Sequence, residues 1–126
     1  MKRSELNNIL RESKEFIEGM NFKLPPFAYW SREEWAGKDE HYDEIKDTML
    51  GWDITDFGSG DFSKVGLVMF TIRNGALNDA RYPKPYAEKL FITHENQVTP
   101  YHYHYQKMED IINRGGGNLL VKVYNA

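Results

Sequence analysis

His102 and His104 stand one residue apart, and Glu109 follows within the stretch Tyr101-His102-Tyr103-His104-Tyr105-Gln106-Lys107-Met108-Glu109. Imidazole and carboxylate are donors that a protein offers to divalent transition ions. Two neutral ring nitrogens at about 2.0–2.2 Å and a carboxylate oxygen suit manganese, iron, nickel, cobalt or zinc. They leave room for a fourth protein ligand and for substrate oxygens. On a strand, residues two apart share a face. His102 and His104 are therefore expected to face one way, with Tyr101, Tyr103 and Tyr105 facing the other. A turn after Tyr105 and a returning strand would bring Glu109 to the same point. A single strand histidine is more simply an ordinary packed residue, and a single glutamate a solvated charge. The pair of histidines, the carboxylate and the turn Gly115-Gly116-Gly117 together favour a metal site. Two buried imidazoles beside a glutamate would otherwise be costly to desolvate.

The elements that must position this segment begin with a helix. Ser4 reads as its N-cap, and Leu6, Ile9, Leu10, Phe16 and Ile17 fall near helical spacing before a stop at Gly19. The paired prolines of Leu24–Trp30 predict extended chain. Ser31 with Glu34 forms a capping box for a short helix, and a further helix is expected near His41–Met49. From Trp52 onward, runs of β-branched and aromatic residues alternate with glycine, proline and asparagine. Trp52–Phe57, Val65–Gly75, Ala87–His94, Gln97–Tyr105, Lys107–Asn113 and Leu119–Asn125 read as an antiparallel system, a sandwich or barrel. The division is thus 1–50, a helical and extended segment packing on the sheet, and 51–126, the strands, within one domain. The glycine-rich stretches Gly58–Phe62 and Arg114–Asn118 lead into no helix and read as turns rather than phosphate loops. Asp53 and Asp56 are three apart, on opposite faces of a strand, and do not form a carboxylate pair. Trp30, Trp52 and Tyr29 could stack on a sugar, but core packing is the simpler assignment. The last run stops one residue before the final Ala126, and an unpaired apolar edge invites association. It reads as the front part of a longer protein, or else as a strand that pairs in a dimer.

Composition narrows the function classes. The 126 residues suffice for one core. The chain has no cysteine, which removes disulfides, thiolate metal sites and a cysteine nucleophile. The net charge is −3 with no basic run, which argues against nucleic acid as a partner. No stretch reaches the roughly eighteen apolar residues of a membrane helix, and the polar N-terminus is not a signal peptide. A cytoplasmic location fits.

His102-Tyr103-His104 through Gly116 resembles the first motif of the cupin superfamily, two histidines, a glutamate and a glycine. The motif's leading glycine is replaced by Asn96, which tolerates left-handed turn geometry. Beyond the motif, Lys23–Trp30, Gly51–Phe62, Val65–Gly75, Tyr86–Ile92 and Val98–Leu120 together resemble the D-lyxose isomerases. The resemblance implies a mainly β, cupin-type antiparallel barrel or jelly roll with N-terminal α-helices, its first part lying in 51–126. It implies a manganese-dependent, homodimeric enzyme that interconverts D-lyxose and D-xylulose, with D-mannose another possible substrate, through an enediol. His102, His104 and Glu109 match three of that family's metal ligands; the fourth, a histidine of a second motif, and a second catalytic carboxylate have no match here. A carboxylate or a lysine of lowered pKa would shuttle the proton. Glu109, Lys107 and Lys89 are the candidates, the lysines standing at family-like positions where they could polarise sugar oxygens or protonate an alkoxide. For each lysine the plainer reading is a solvated surface cation. Two other readings share the motif: an iron-dependent cupin dioxygenase, and a non-catalytic or truncated cupin that binds metal or sugar.

Overall fold

The computed structural model describes residues 1–125. Helix α1 (Arg3–Gly19) buries Ile9, Ser13 and Ile17, which recur every four residues on one face. Ser4 does not cap it but lies inside. The Lys2 backbone N–H donates to Glu5 Oε2 at 3.2 Å, so an acidic side chain in the first turn satisfies the helix entrance. The stop also lies beyond Gly19. Asn21 adopts φ 57°, its N–H donates to the Glu18 carbonyl, and the Phe22 N–H donates to the Ile17 carbonyl. That pair of bonds is a Schellman closure with asparagine at the left-handed position.

The proline segment is not extended throughout. Pro26–Ala28 closes a 3-10 turn, where the leading proline fits because its missing N–H would have had no partner. The Trp52 indole N–H donates to the Ala28 carbonyl at 2.9 Å and ties this turn to the sheet. Helix α2 (Arg32–Ala36) starts on the expected capping box. Glu34 N–H donates to Ser31 Oγ at 3.2 Å, and Ser31 N–H to Glu34 Oε2 at 2.7 Å. These bonds hold the Glu34 carboxyl below its usual range, the backbone bond from Ser31 contributing most. A 3-10 turn at Glu40–Tyr42 leads into helix α3 (Asp43–Asp47).

Strands β1 (Gly51–Thr55), β2 (Leu67–Arg73) and β3 (Glu88–Ile92) form one antiparallel sheet in that order. Trp52 pairs with Phe70 and Ile54 with Val68, while Leu90 and Ile92 pair with the same two β2 residues from the other side. This face joins Ile9, Ile17, Leu24, Ala28 and Phe62 in the core. Phe70, 1% exposed, stacks on Phe27 at 5.4 Å and meets Trp52 edge-on at 4.9 Å. The opposite face carries Asp53, Met69, Thr71, Lys89 and Phe91. The expected antiparallel sheet and N-terminal helices are therefore present, but among the described residues the sheet has three strands and does not close on itself. No helix among them is long and apolar enough to cross a membrane.

The sheet system ends at Val98. It bridges Val65 in parallel, donating to the Lys64 carbonyl at 2.8 Å and accepting from Gly66 N–H at 3.1 Å. Gly66 is required there, since a Cβ would lie 2.6 Å from the Phe62 carbonyl oxygen and 2.7 Å from Gln97 Nε2. The 61–66 turn that receives Val98 is held by Asp61, which accepts from Ser63 Oγ at 2.6 Å and pairs with Lys64 at 3.0 Å.

Residues 99–125 contain no helix or strand. Of the strand expected over Gln97–Tyr105 only the Val98 bridge forms, and those expected over Lys107–Asn113 and Leu119–Asn125 are absent. Alternating apolar sequence supplies a face, but a strand exists only when a neighbouring chain takes its N–H and C=O groups, and no described segment pairs with these residues.

Candidate metal centre

His102, His104 and Glu109 come together without the strand that was expected to present them. One donor atom from each lies within 4.8 Å of the other two. The alternation of side chains survives in local geometry. The His102 and His104 rings lie 4.9 Å apart at 74°, and those of Tyr103 and Tyr105 5.0 Å apart at 75° with their hydroxyls at 2.8 Å. Residues two apart thus meet in pairs, as on a strand, even where no ladder forms.

His102 Nδ1 is 3.1 Å from the Pro100 carbonyl. A carbonyl only accepts, so Nδ1 is the donor, and the neutral ring then carries its free lone pair on Nε2, where a metal can take it. The acceptor is a main-chain carbonyl, which any residue type supplies, so nothing in the sequence marks this bond. His104 Nε2 lies 3.2 Å from Glu109 Oε1, and Lys107 Nζ lies 2.6 Å from the same oxygen. The hydrogen bond from Lys107 is the chief cause holding the Glu109 carboxyl below its usual range, and the Lys107 charge pushes the same way against an opposing cost of burial. The carboxylate is thus kept in the form that a cation requires.

These donors fit a divalent transition ion. Two imidazoles and an ionised carboxylate are the right chemistry, they converge, and all three residues are exposed. A second trio, Asp39, Glu40 and His41, also converges. Its geometry has a plainer cause, since Asp39 Oδ1 caps the following turn by accepting from the His41 N–H at 3.2 Å.

The two lysines part company. Lys107 is in the cluster through Glu109. Lys89 is on β3 opposite Thr71, on the sheet face away from the core, as expected for a strand residue. There it lines a concavity of about 370 Å³ with Asp53, Met69, Thr71, Asn74 and Trp52. Among the described residues no hydrogen bond or ion pair joins Lys89 to His102, His104 or Glu109. The left-handed turn expected at Asn96 is present, at φ 60°.

Comparison with known proteins adds a second line of observation. The family model of D-lyxose isomerase matches residues 1–126. A D-lyxose/D-mannose isomerase of Serratia proteamaculans is 48% identical over 127 residues, and one of Escherichia coli O157:H7 is 47% identical over 127 residues. Both alignments take in 100% of this chain and 56% of the relative, so the chain spans about half the length of the curated relatives it matches.

Proposed function

The chain belongs to the D-lyxose isomerase family, and from that premise we propose that it supplies His102, His104 and Glu109 as ligands of a divalent ion, manganese first, in a sugar isomerase. The reaction is the aldose–ketose interconversion of D-lyxose and D-xylulose, with D-mannose as a further aldose that the relatives' names suggest. The observation that carries the reading is the convergence of three donor atoms within 4.8 Å in a chain whose family acts on such sugars.

An aldose becomes a ketose when one proton moves between C1 and C2 and another between their oxygens. When bound, the metal supplies Lewis acidity, polarising the carbonyl and the adjacent hydroxyl. The protein groups do the rest. His102 is held by Pro100 with its Nε2 lone pair free. Glu109 contributes an anionic oxygen. Lys107, beside that oxygen, is a cation able to protonate a developing alkoxide. Lys89, in the concavity with Asp53 and Thr71, would hold sugar hydroxyls rather than reach the ligands. The family's homodimeric form and a cytoplasmic location belong to the same proposal.

The second reading is a cupin that binds metal or sugar without turnover. It is favoured by one observation: the cluster offers three donors, and no further carboxylate joins them among the described residues. One experiment separates the two. Purified protein and a His102→Ala, His104→Ala double variant are compared for bound manganese and for conversion of D-lyxose to D-xylulose. The isomerase reading expects near-stoichiometric metal and turnover, both lost in the variant. Metal without turnover supports the second reading, and a folded protein that binds no metal refutes the site.

A further inference from the structure

The ligand segment has two attachments to the body. One is the Val65–Val98 bridge before it. The other lies after it, where the turn Arg114–Gly117 sits on the C-terminal end of α1. A Cβ at Gly115 would lie 2.9 Å from Met20 Cε, and one at Gly116 2.9 Å from Phe16 Cζ. Arg114 sets its guanidinium 5.9 Å from the centre of the Phe22 ring.

Each side of this contact is shaped for the other. Phe16 and Met20 are 46% and 40% exposed, large apolar side chains left at the helix end. The last turn of α1 contains no basic residue, and Arg114 brings a cation to the negative end of its dipole. The turn is built to approach closely. Gly115 and Gly116 take φ 122° and 85°, and Asn113 closes the turn by accepting from Gly115 N–H at 3.0 Å and donating to the Gly117 carbonyl at 2.9 Å.

We propose that the Phe16–Met20–Phe22 end of α1 is the seat of the Arg114–Gly117 turn and a positioning element for the metal ligands. With both ends fixed, the stretch from Thr99 to Asn113 is a closed loop whose ligands search a restricted space. With the seat removed it is a chain tethered at Val98 alone, and ordering three donors around an ion costs more entropy. The metal site and a helix far from it in sequence are then energetically coupled. The inference rests on the metal reading above and adds to it a residue set that touches no ligand.

The test uses the full chain with Mn2+ alone as probe, free ion being followed by electron paramagnetic resonance. The Phe16→Gln, Met20→Gln variant keeps good helix formers while removing the apolar seat. Gly116→Val attacks from the other side. The end of the Phe16 ring could give way to a methyl group, but a β-branched residue at positive φ is strained regardless. Both variants are expected to weaken manganese binding about tenfold, within the usual range of coupling between sites, with unchanged circular dichroism. The Phe16→Leu, Met20→Leu variant should restore parental affinity. Trypsin gives a reading without metal: cleavage after Arg114, relative to cleavage after Lys122, should quicken severalfold in both disruptive variants. Parental affinity and parental cleavage in those variants overturn the inference while leaving the metal site intact. Failure of the parent itself to bind manganese, matching the His102→Ala, His104→Ala protein, overturns the metal reading and the coupling together.

Discussion

Residues 1–98 and residues 99–125 belong to one chain, yet they are held by different means. In the first region side chains settle the backbone. Val68 and Phe70 are 0% and 1% exposed, and every strand answers to a neighbour. In the second, Tyr105 and Met108 are 88% and 99% exposed and no ladder forms. The candidate metal ligands nevertheless lie in the second. Stability and the candidate ligands thus lie in different segments, and the donors are neighbours in sequence whose loop is closed by the Arg114–Gly117 turn on α1.

The sharpest way to break this contrast is to cut into the body. Phe70→Ala removes a ring packed between Phe27 and Trp52, and should cost about 3–5 kcal/mol in urea unfolding. A cost under about 1 kcal/mol would mean that the core is looser than its burial indicates.

The junction between the two regions gives a smaller effect with a pH signature. Bonds from Ser63, then Lys64, lower the Asp61 carboxyl from its ordinary 3.8 to about 2. A lowered folded-state value means stabilisation that is present above about 3.8 and lost as pH falls through about 2. Asp61→Asn should therefore melt below the parent at pH 6, with the gap closing as both approach pH 2. A gap that persists undiminished in acid would show that Asp61 works through hydrogen bonding alone.

The smallest effect is expected where exposure is greatest. Met108→Ala should shift stability by less than about 0.5 kcal/mol. A larger loss in thermal unfolding would reveal packing of the 99–125 region against the body beyond the Arg114–Gly117 turn and blur the contrast.

How much of this was legible in the sequence follows the same division. The β-branched and aromatic runs Val65–Gly75 and Ala87–His94 marked β2 and β3 correctly, because each has a partner close in the chain. The Ser31–Glu34 box was readable because its bonds are local. The ends of α1 were misplaced for a physical reason: Glu5 and Asn21 perform the capping that Ser4 and Gly19 were expected to perform, and each can do so with its own side chain or backbone. The strands beyond Val98 were misread because periodicity reports a face and says nothing of whether a ladder is available. For the site, the spacing of His102, His104 and Glu109 was sufficient to predict convergence, although through the wrong element. The lysines were not separable by sequence, since a difference of position on a sheet face or beside a carboxylate is tertiary. The seat on α1 left no trace except three consecutive glycines.

The ion pair between Lys107 and Glu109 has one more implication if manganese binds as proposed. The carboxylate already holds a tethered ammonium against Oε1. An arriving dication would compete with that ammonium for the same oxygen, so the lysine that keeps the carboxylate ionised would also oppose the ion that uses it.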